Sequence, residues 1–172
     1  MQRIVKIERI SIFFLGACIL IIMLLSFKVF SVQWKSTDSS ENKEIFLHNK
    51  ENNCGPVALK MIFDHYKIPS TINEIETRVK LSDSGTSMLA LKDMSELKGL
   101  HAEGWRLTVE DLFKATLPVI LFVNGNHFVV ADSVKSDTLF FRDPIFGKLT
   151  MRINKLPEKW NGETLIFKKC IK

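Results

Sequence analysis

Cysteine is scarce: Cys18, Cys54 and Cys170 are the only three in 172 residues. They are too few and too scattered for a disulfide framework, and none makes the paired CxxC spacing of a zinc site. The sequence therefore calls for no metal and no cofactor. It also lacks an internal repeat or a low-complexity tract. A basic excess is missing from most of the chain as well. The formal charge is +5, but residues 1–35 carry Arg3, Lys6, Arg9, Lys28 and Lys35 against Glu8, and the remainder holds 19 basic and 18 acidic residues. A nucleic-acid footprint needs basic residues clustered on the folded part, so nucleic acid is excluded as a partner.

The basic N-terminus flanks the one long apolar run. Ile10 to Phe27 contains no charge and is interrupted by hydroxyls only at Ser11 and Ser26, and Val29, Phe30, Val32 and Trp34 extend it past Lys28. That length spans a bilayer. The expected organisation is a basic flank (1–9), a transmembrane signal anchor (10–32), a polar tether (33–43) and one folded domain (44–172). A cleaved signal peptide is the rival reading, but no small-x-small cleavage site follows the run. Leu15-Gly16-Ala17-Cys18 resembles a lipobox, yet an apolar run follows it where a processed lipoprotein turns polar. Counting Lys and Arg at the two ends places the N-terminus in the cytoplasm and the domain on the outer side of a cell membrane, with the bilayer itself as a partner.

Within the domain the periodicity changes once. Val57, Ala58, Met61, Ile62 and Tyr66 mark one face of a helix that starts near Cys54 and stops before Pro69. Pro56 suits its first turn, and Asn52 or Asn53 is the expected cap. Thr71 with Glu74 and Thr108 with Asp111 are capping signatures for two further helices. Between them Ser84 to Gly99 reads as a helix with Met88, Leu91, Met94 or Ser95, and Leu97 inward. Beyond Pro118 come five β-rich runs, 119–123, 128–134, 138–141, 149–153 and 164–167, with turn residues between them. Helices followed by an antiparallel meander is an α+β layout.

Three residues in this frame form a thiol-nucleophile constellation. Cys54 stands at a loop-to-helix junction, where free amides and the helix dipole favour a thiolate. Some seventy residues later Asn126-His127-Phe128-Val129-Val130 supplies a histidine and Arg142-Asp143-Pro144 an aspartate. Taken singly, each has a plainer use: a cysteine beside Gly-Pro as a small buried side chain, and an Asp before Pro as turn vocabulary. Strand register decides whether they meet. If Lys135-Ser136-Asp137 is a three-residue turn, Val134 pairs with Thr138, Val129 faces Asp143, and His127 becomes a diagonal neighbour of Asp143 at about 7–8 Å. A two-residue turn shifts the pairing by one and sends the two to opposite faces.

Asn53-Cys54-Gly55-Pro56, Gly85-Thr86-Ser87, Leu117-Pro118-Val119-Ile120, Asn126-His127-Phe128-Val129-Val130 and Asp143-Pro144-x-x-Gly147 occur in the order seen in the C39 cysteine peptidases, which the chain resembles from about residue 45 to 168. The resemblance implies a papain-like fold, with N-terminal helices on a C-terminal antiparallel sheet. It implies Cys54 as nucleophile, His127 as general base and acid, and Asp143 as the group that orients the imidazole. The implied substrate is a peptide or protein; known members of the family cut leader peptides, often as part of an exporter, so a separate exporter is a further implied partner. The family's side-chain oxyanion donor, a Gln six residues before the cysteine, is replaced by His48 with Asn49 beside it. Loss of such a donor costs about 10²–10³ in rate. A catalytically weak or inactive peptide-binding module is thus the alternative to a peptidase, and acyl transfer to an amine is a third class that the sequence does not separate from hydrolysis.

Overall fold

The computed structural model of the protein describes residues 52–169. The basic flank, the apolar segment 10–32, the tether 33–43, the start of the domain at 44, and with them Cys18, His48, Asn49 and Cys170, lie outside the described residues. Among the described residues no helix is long and apolar enough to cross a membrane.

The first helix, α1, runs Cys54–His65 and buries Val57, Ala58, Leu59, Met61, Ile62 and Phe63. The expected asparagine cap is not there: Asn53 occupies the N-cap position with φ −97° and ψ 18°, and its side chain makes no capping hydrogen bond. Its amide is engaged elsewhere, donating to Glu76 Oε1 at 3.0 Å. The helix forms without the cap because a cap is worth about 1 kcal/mol. Each buried Val, Leu, Ile or Phe is worth about 1.5–3 kcal/mol. At the other end Lys67 takes φ 56°, and the Ile68 and Lys67 amides return to the carbonyls of Phe63 and Asp64, a Schellman motif that stops the helix before Pro69.

Helix α2 is Ile72–Arg78, where Thr71 accepts from the Glu74 amide at 3.2 Å, and α3 is Met88–Leu97, capped by Ser87. In α3 Leu91, Met94 and Ser95 are buried, whereas Leu97, expected inward, is 63% exposed. Leu97 lies two residues before Gly99, whose φ of 76° ends the helix there. A strand the sequence pattern missed follows, β1 at Leu100–Arg106; it buries only Leu100 and Ala102 before turning to solvent, so its alternation is too short to read. The short α4, Val109–Lys114, opens with the full Thr108–Asp111 capping box.

The remaining strands are β2 (Val119–Val123), β3 (His127–Lys135), β4 (Thr138–Asp143), β5 (Gly147–Arg152) and β6 (Glu163–Lys169). β5 ends earlier than expected because Ile153 begins a 3₁₀ turn, Ile153–Glu158, that buries Ile153 and Leu156. The six strands form one antiparallel sheet in the order β1-β6-β2-β3-β4-β5. The expected meander therefore holds only for β2 to β5; β6 crosses back and pairs between β1 and β2. This is the helices-on-a-sheet α+β arrangement. One apolar cluster lies under the helices, where Ile120, Phe128, Val130, Leu165 and Phe167 meet α1 to α3. A second gathers Val119, Leu121, Val129, Ala131, Leu139 and Phe141 with Leu112, Leu156 and Trp160. Alternation between the two clusters along β2 and along β3 from Phe128 to Ala131 explains why both read as nearly continuous apolar runs.

The β3–β4 hairpin departs from expectation twice. Its turn has two residues, Ser136 (φ 53°) and Asp137, with Lys135 paired to Thr138 and Val134 to Leu139. By itself that register would send His127 and Asp143 to opposite faces. A β-bulge corrects it: Ser133 pairs with Phe140 and Ala131 with Phe141, leaving Asp132 as the extra residue, and Val130 then pairs with Arg142. One further step sets Val129 against Asp143, as the longer turn would have done. The bulge keeps the His127 end in register with Asp143 while letting Val134 pack on the same cluster as Val129 and Ala131. Arg142 fastens it, donating from Nε and Nη2 to both carboxylate oxygens of Asp132 at 2.8 and 2.7 Å.

Candidate active site

Cys54 is the first residue of α1 and half-buried. The helix brings it against β3 because residue 55 has no side chain. A Cβ there would stand 2.5 Å from Thr86 Cγ2 and 3.3 Å from Phe128 Cδ2, so only glycine permits this approach. The sulfur then lies within electrostatic reach of the His127 side chain and of the backbone amides of Phe128 and Gly55, all of which favour its thiolate. Burial alone would push the thiol up, but these donors and the positive charge of His127 outweigh it and hold Cys54 below the usual thiol range.

His127 opens β3 directly after the Asn124-Gly125-Asn126 turn. Its Nε2 lies 2.9 Å from Asp143 Oδ2, which leaves Nδ1 as the ring nitrogen available to Cys54. Asp143 ends β4 and is 95% buried, with its other oxygen fixed by the amides of Ile145 at 2.7 Å and Phe146 at 3.2 Å. Pro144 has no N–H, so both bonds come from the residues beyond it, and Gly147 with φ 79° returns the chain into β5. Burial opposes ionisation of Asp143; the hydrogen bond from His127, the two amides and the imidazolium charge reverse that and keep its carboxyl below the ordinary carboxylate range. Burial likewise opposes charge on His127. Hydrogen bonds to Asp143 and Cys54, with the negative charge of both, overcome it, and the imidazole pKa is pushed up to about 9.

The three residues singled out in the sequence are thus brought into one chain, Asp143 to His127 to Cys54. His65 and His101 stand apart from it. His65 is exposed with its ring edge-on to Tyr66. His101 bridges Glu96 and Glu103 at 2.9 Å each. His48 and Asn49 precede the described residues. Among the described residues no group of three or more His, Cys, Asp or Glu is placed to hold a metal ion. Two parts of the site carry no sequence signal: the Phe128 amide, a backbone donor, and Glu76, which reaches Asn53 across 23 residues of chain.

Residues 42–171 match the Peptidase C39 family. The chain belongs to that family. Its C39 domain is 28% identical to the lactococcin-G-processing and transport ATP-binding protein LagD of Lactococcus lactis over 133 residues, 74% of this chain but 19% of LagD, so it spans about a fifth of that relative. An uncharacterized protein of Methanothermobacter thermautotrophicus, 24% identical over 125 residues, is covered to 88% of its own length. Among solved structures, the double glycine motif protease from an AMS/PCAT transporter, crystallised with its leader peptide, is 30% identical with a TM-score of 0.66, covering 68% of this chain and 84% of that one. The peptidase domain of Streptococcus ComA has a TM-score of 0.65 at 20% identity, covering 70% and 93%, which shows the shared fold.

Proposed function

We propose that the protein is a cysteine peptidase that cleaves a peptide bond through Cys54, His127 and Asp143. The observation that carries this reading is the 2.9 Å hydrogen bond of the Asp143 carboxylate to the His127 ring, which in turn lowers the Cys54 thiol pKa. A depressed thiol beside a raised imidazole favours the thiolate–imidazolium pair, the form in which the sulfur is nucleophilic. The thiolate adds to the peptide carbonyl, and the resulting oxyanion is met by the Cys54 backbone amide and by a side chain of the preceding segment, His48 or Asn49. His127 passes its proton to the departing amine, leaving a thioester on Cys54. It then takes a proton from water, whose hydroxyl attacks the thioester and frees the carboxylic acid and the thiolate. Asp143 holds the ring in the tautomer that performs both transfers and stabilises its charged form.

The substrate class in this reading is an extended peptide segment, with leader-peptide processing the example supplied by the relatives. A membrane anchor at 10–32 would hold the domain on the outer face of the membrane, and a separate exporter would bring it substrate. His48 at the family's Gln position favours one other reading, a C39 domain that binds peptides with little turnover. Alkylation of Cys54 by iodoacetamide across pH separates the two. The peptidase reading expects labelling at Cys54 that is already fast below pH 7. A rate that rises only near the free-thiol pKa of about 8.5 would remove it.

A further inference from the structure

Glu76 is a buried carboxylate with no part in the mechanism above. It lies on α2 and is 7% exposed. Its Oε1 accepts the Asn53 side-chain amide at 3.0 Å, and Asn53 is itself fully buried. Asn53 is the residue immediately before Cys54, and its carbonyl accepts the first intrahelical hydrogen bond of α1, from Val57 at 3.0 Å. Its backbone angles, φ −97° and ψ 18°, set the plane of the peptide that leads into Cys54. An N-cap asparagine ordinarily turns back on its own helix; here it is spent on a cross-helix bond to the Glu76 carboxylate.

We propose that Glu76 is a positioning residue for the nucleophile: by accepting the Asn53 amide it fixes the entry of the chain into α1 and so aims Cys54 at His127 and at the Phe128 amide. The inference rests on the reading of Cys54 as the nucleophile. α1 enters the site with no side-chain cap, so the Asn53–Glu76 bond takes the place of one as the anchor of its first turn. Were that anchor lost, α1 would stay packed through Val57, Leu59, Ile62 and Phe63, while its first residue would be free to turn the sulfur away from its donors.

The groups that bear on the sulfur are His127 and the Phe128 amide from β3, Asp143 behind His127 from β4, and the Gly55 amide from α1 itself, while Glu76 from α2 acts on it through Asn53. Removing Glu76 therefore acts through aim: a sulfur turned away from His127 and the Phe128 amide loses the groups that hold its pKa down. The test is the pH dependence of iodoacetamide alkylation in the full chain, read at Cys54 by mass spectrometry. Glu76→Ala is expected to raise the midpoint by about one unit, which slows labelling at pH 6 about tenfold. Glu76→Gln, whose side-chain oxygen still accepts the Asn53 amide, is expected to stay within about twofold of wild type. A midpoint that is unchanged or lowered in Glu76→Ala, or raised as much in Glu76→Gln, overturns the proposal. Should Glu76→Ala fail to fold, Asn53→Ala removes the same bond from the other side; it is expected to raise the midpoint likewise, and an unmoved midpoint overturns the proposal. A wild-type midpoint near 8.5 would instead overturn the peptidase reading, whatever the variants do.

Discussion

Cys54 owes its position to one helix, whereas His127 and Asp143 owe theirs to the register of two strands, sixteen residues apart in the chain. The helix side is local. Six buried side chains from Val57 to Phe63 seat α1 on the sheet, and a small error in its first turn changes the aim of the sulfur by degrees. The sheet side is all or none, because a one-residue slip moves a side chain to the other face. It is accordingly braced twice, by the bulge at Asp132 with its Arg142 clamp and by the two amides that fix Asp143 beyond Pro144. A site assembled from both kinds of support tolerates adjustment on one side only.

The largest expected effects fall on the catalytic atoms. Cys54→Ala should abolish turnover of a cleavable peptide while the far-UV spectrum and melting temperature stay near wild type, since residue 54 is at the helix start and only half-buried. Asp143→Asn should leave weak but measurable turnover, with a loss of up to about 10⁴, because an orienting group is less indispensable than the nucleophile. The pH–activity profile of the wild type should rise through the depressed Cys54 pKa, hold across neutrality and fall through about pH 9 as His127 loses its proton. Failure to decline near pH 9 would mean that His127 is not the titrating partner.

Next come substitutions that separate the two supports. Gly55→Ala places a methyl 2.5 Å from Thr86 Cγ2. Overpacking of this kind costs about 1–3 kcal/mol. Thermal melting should show the loss, and adding Thr86→Ser, which deletes the obstructing methyl, should recover most of it. On the sheet side, deleting Asp132 removes the extra residue yet preserves the pairing of Ala131 with Phe141 and Val130 with Arg142. The deletion should therefore keep Cys54 reactivity, and loss of reactivity would show that the bulge does more than set register. The smallest effect belongs to Thr108→Ala, which removes the cap of α4 at about 1 kcal/mol. α4 holds no member of the triad, so the melting point should drop and activity should not.

How much of this was legible in the sequence follows the same division. α1 and the place of Cys54 were readable because helix periodicity, Pro56 and Pro69 are all local signals. The cap was misread because the partner of Asn53 is Glu76, far along the chain and without any motif to announce it. Strand β1 escaped notice because it buries only two side chains, and β6 was placed at the end of a meander because pairing between β1 and β2 leaves no local trace. The His127–Asp143 contact was expected for a turn that does not exist. The bulge did leave a trace: Val129 and Ala131 share a parity that Val134 breaks, and all three pack on one cluster. A change of parity within one strand is what an extra residue produces.

The central claim is that Cys54 and His127 form an ion pair held in place by Asp143. An NMR titration of the His127 ring in the wild type, beside Cys54→Ala and Asp143→Asn, tests it most directly. The account predicts an imidazolium that persists past neutrality with a midpoint of about 9, and a clear fall of that midpoint in both variants. A wild-type midpoint near 6.5, unmoved by either substitution, would contradict it.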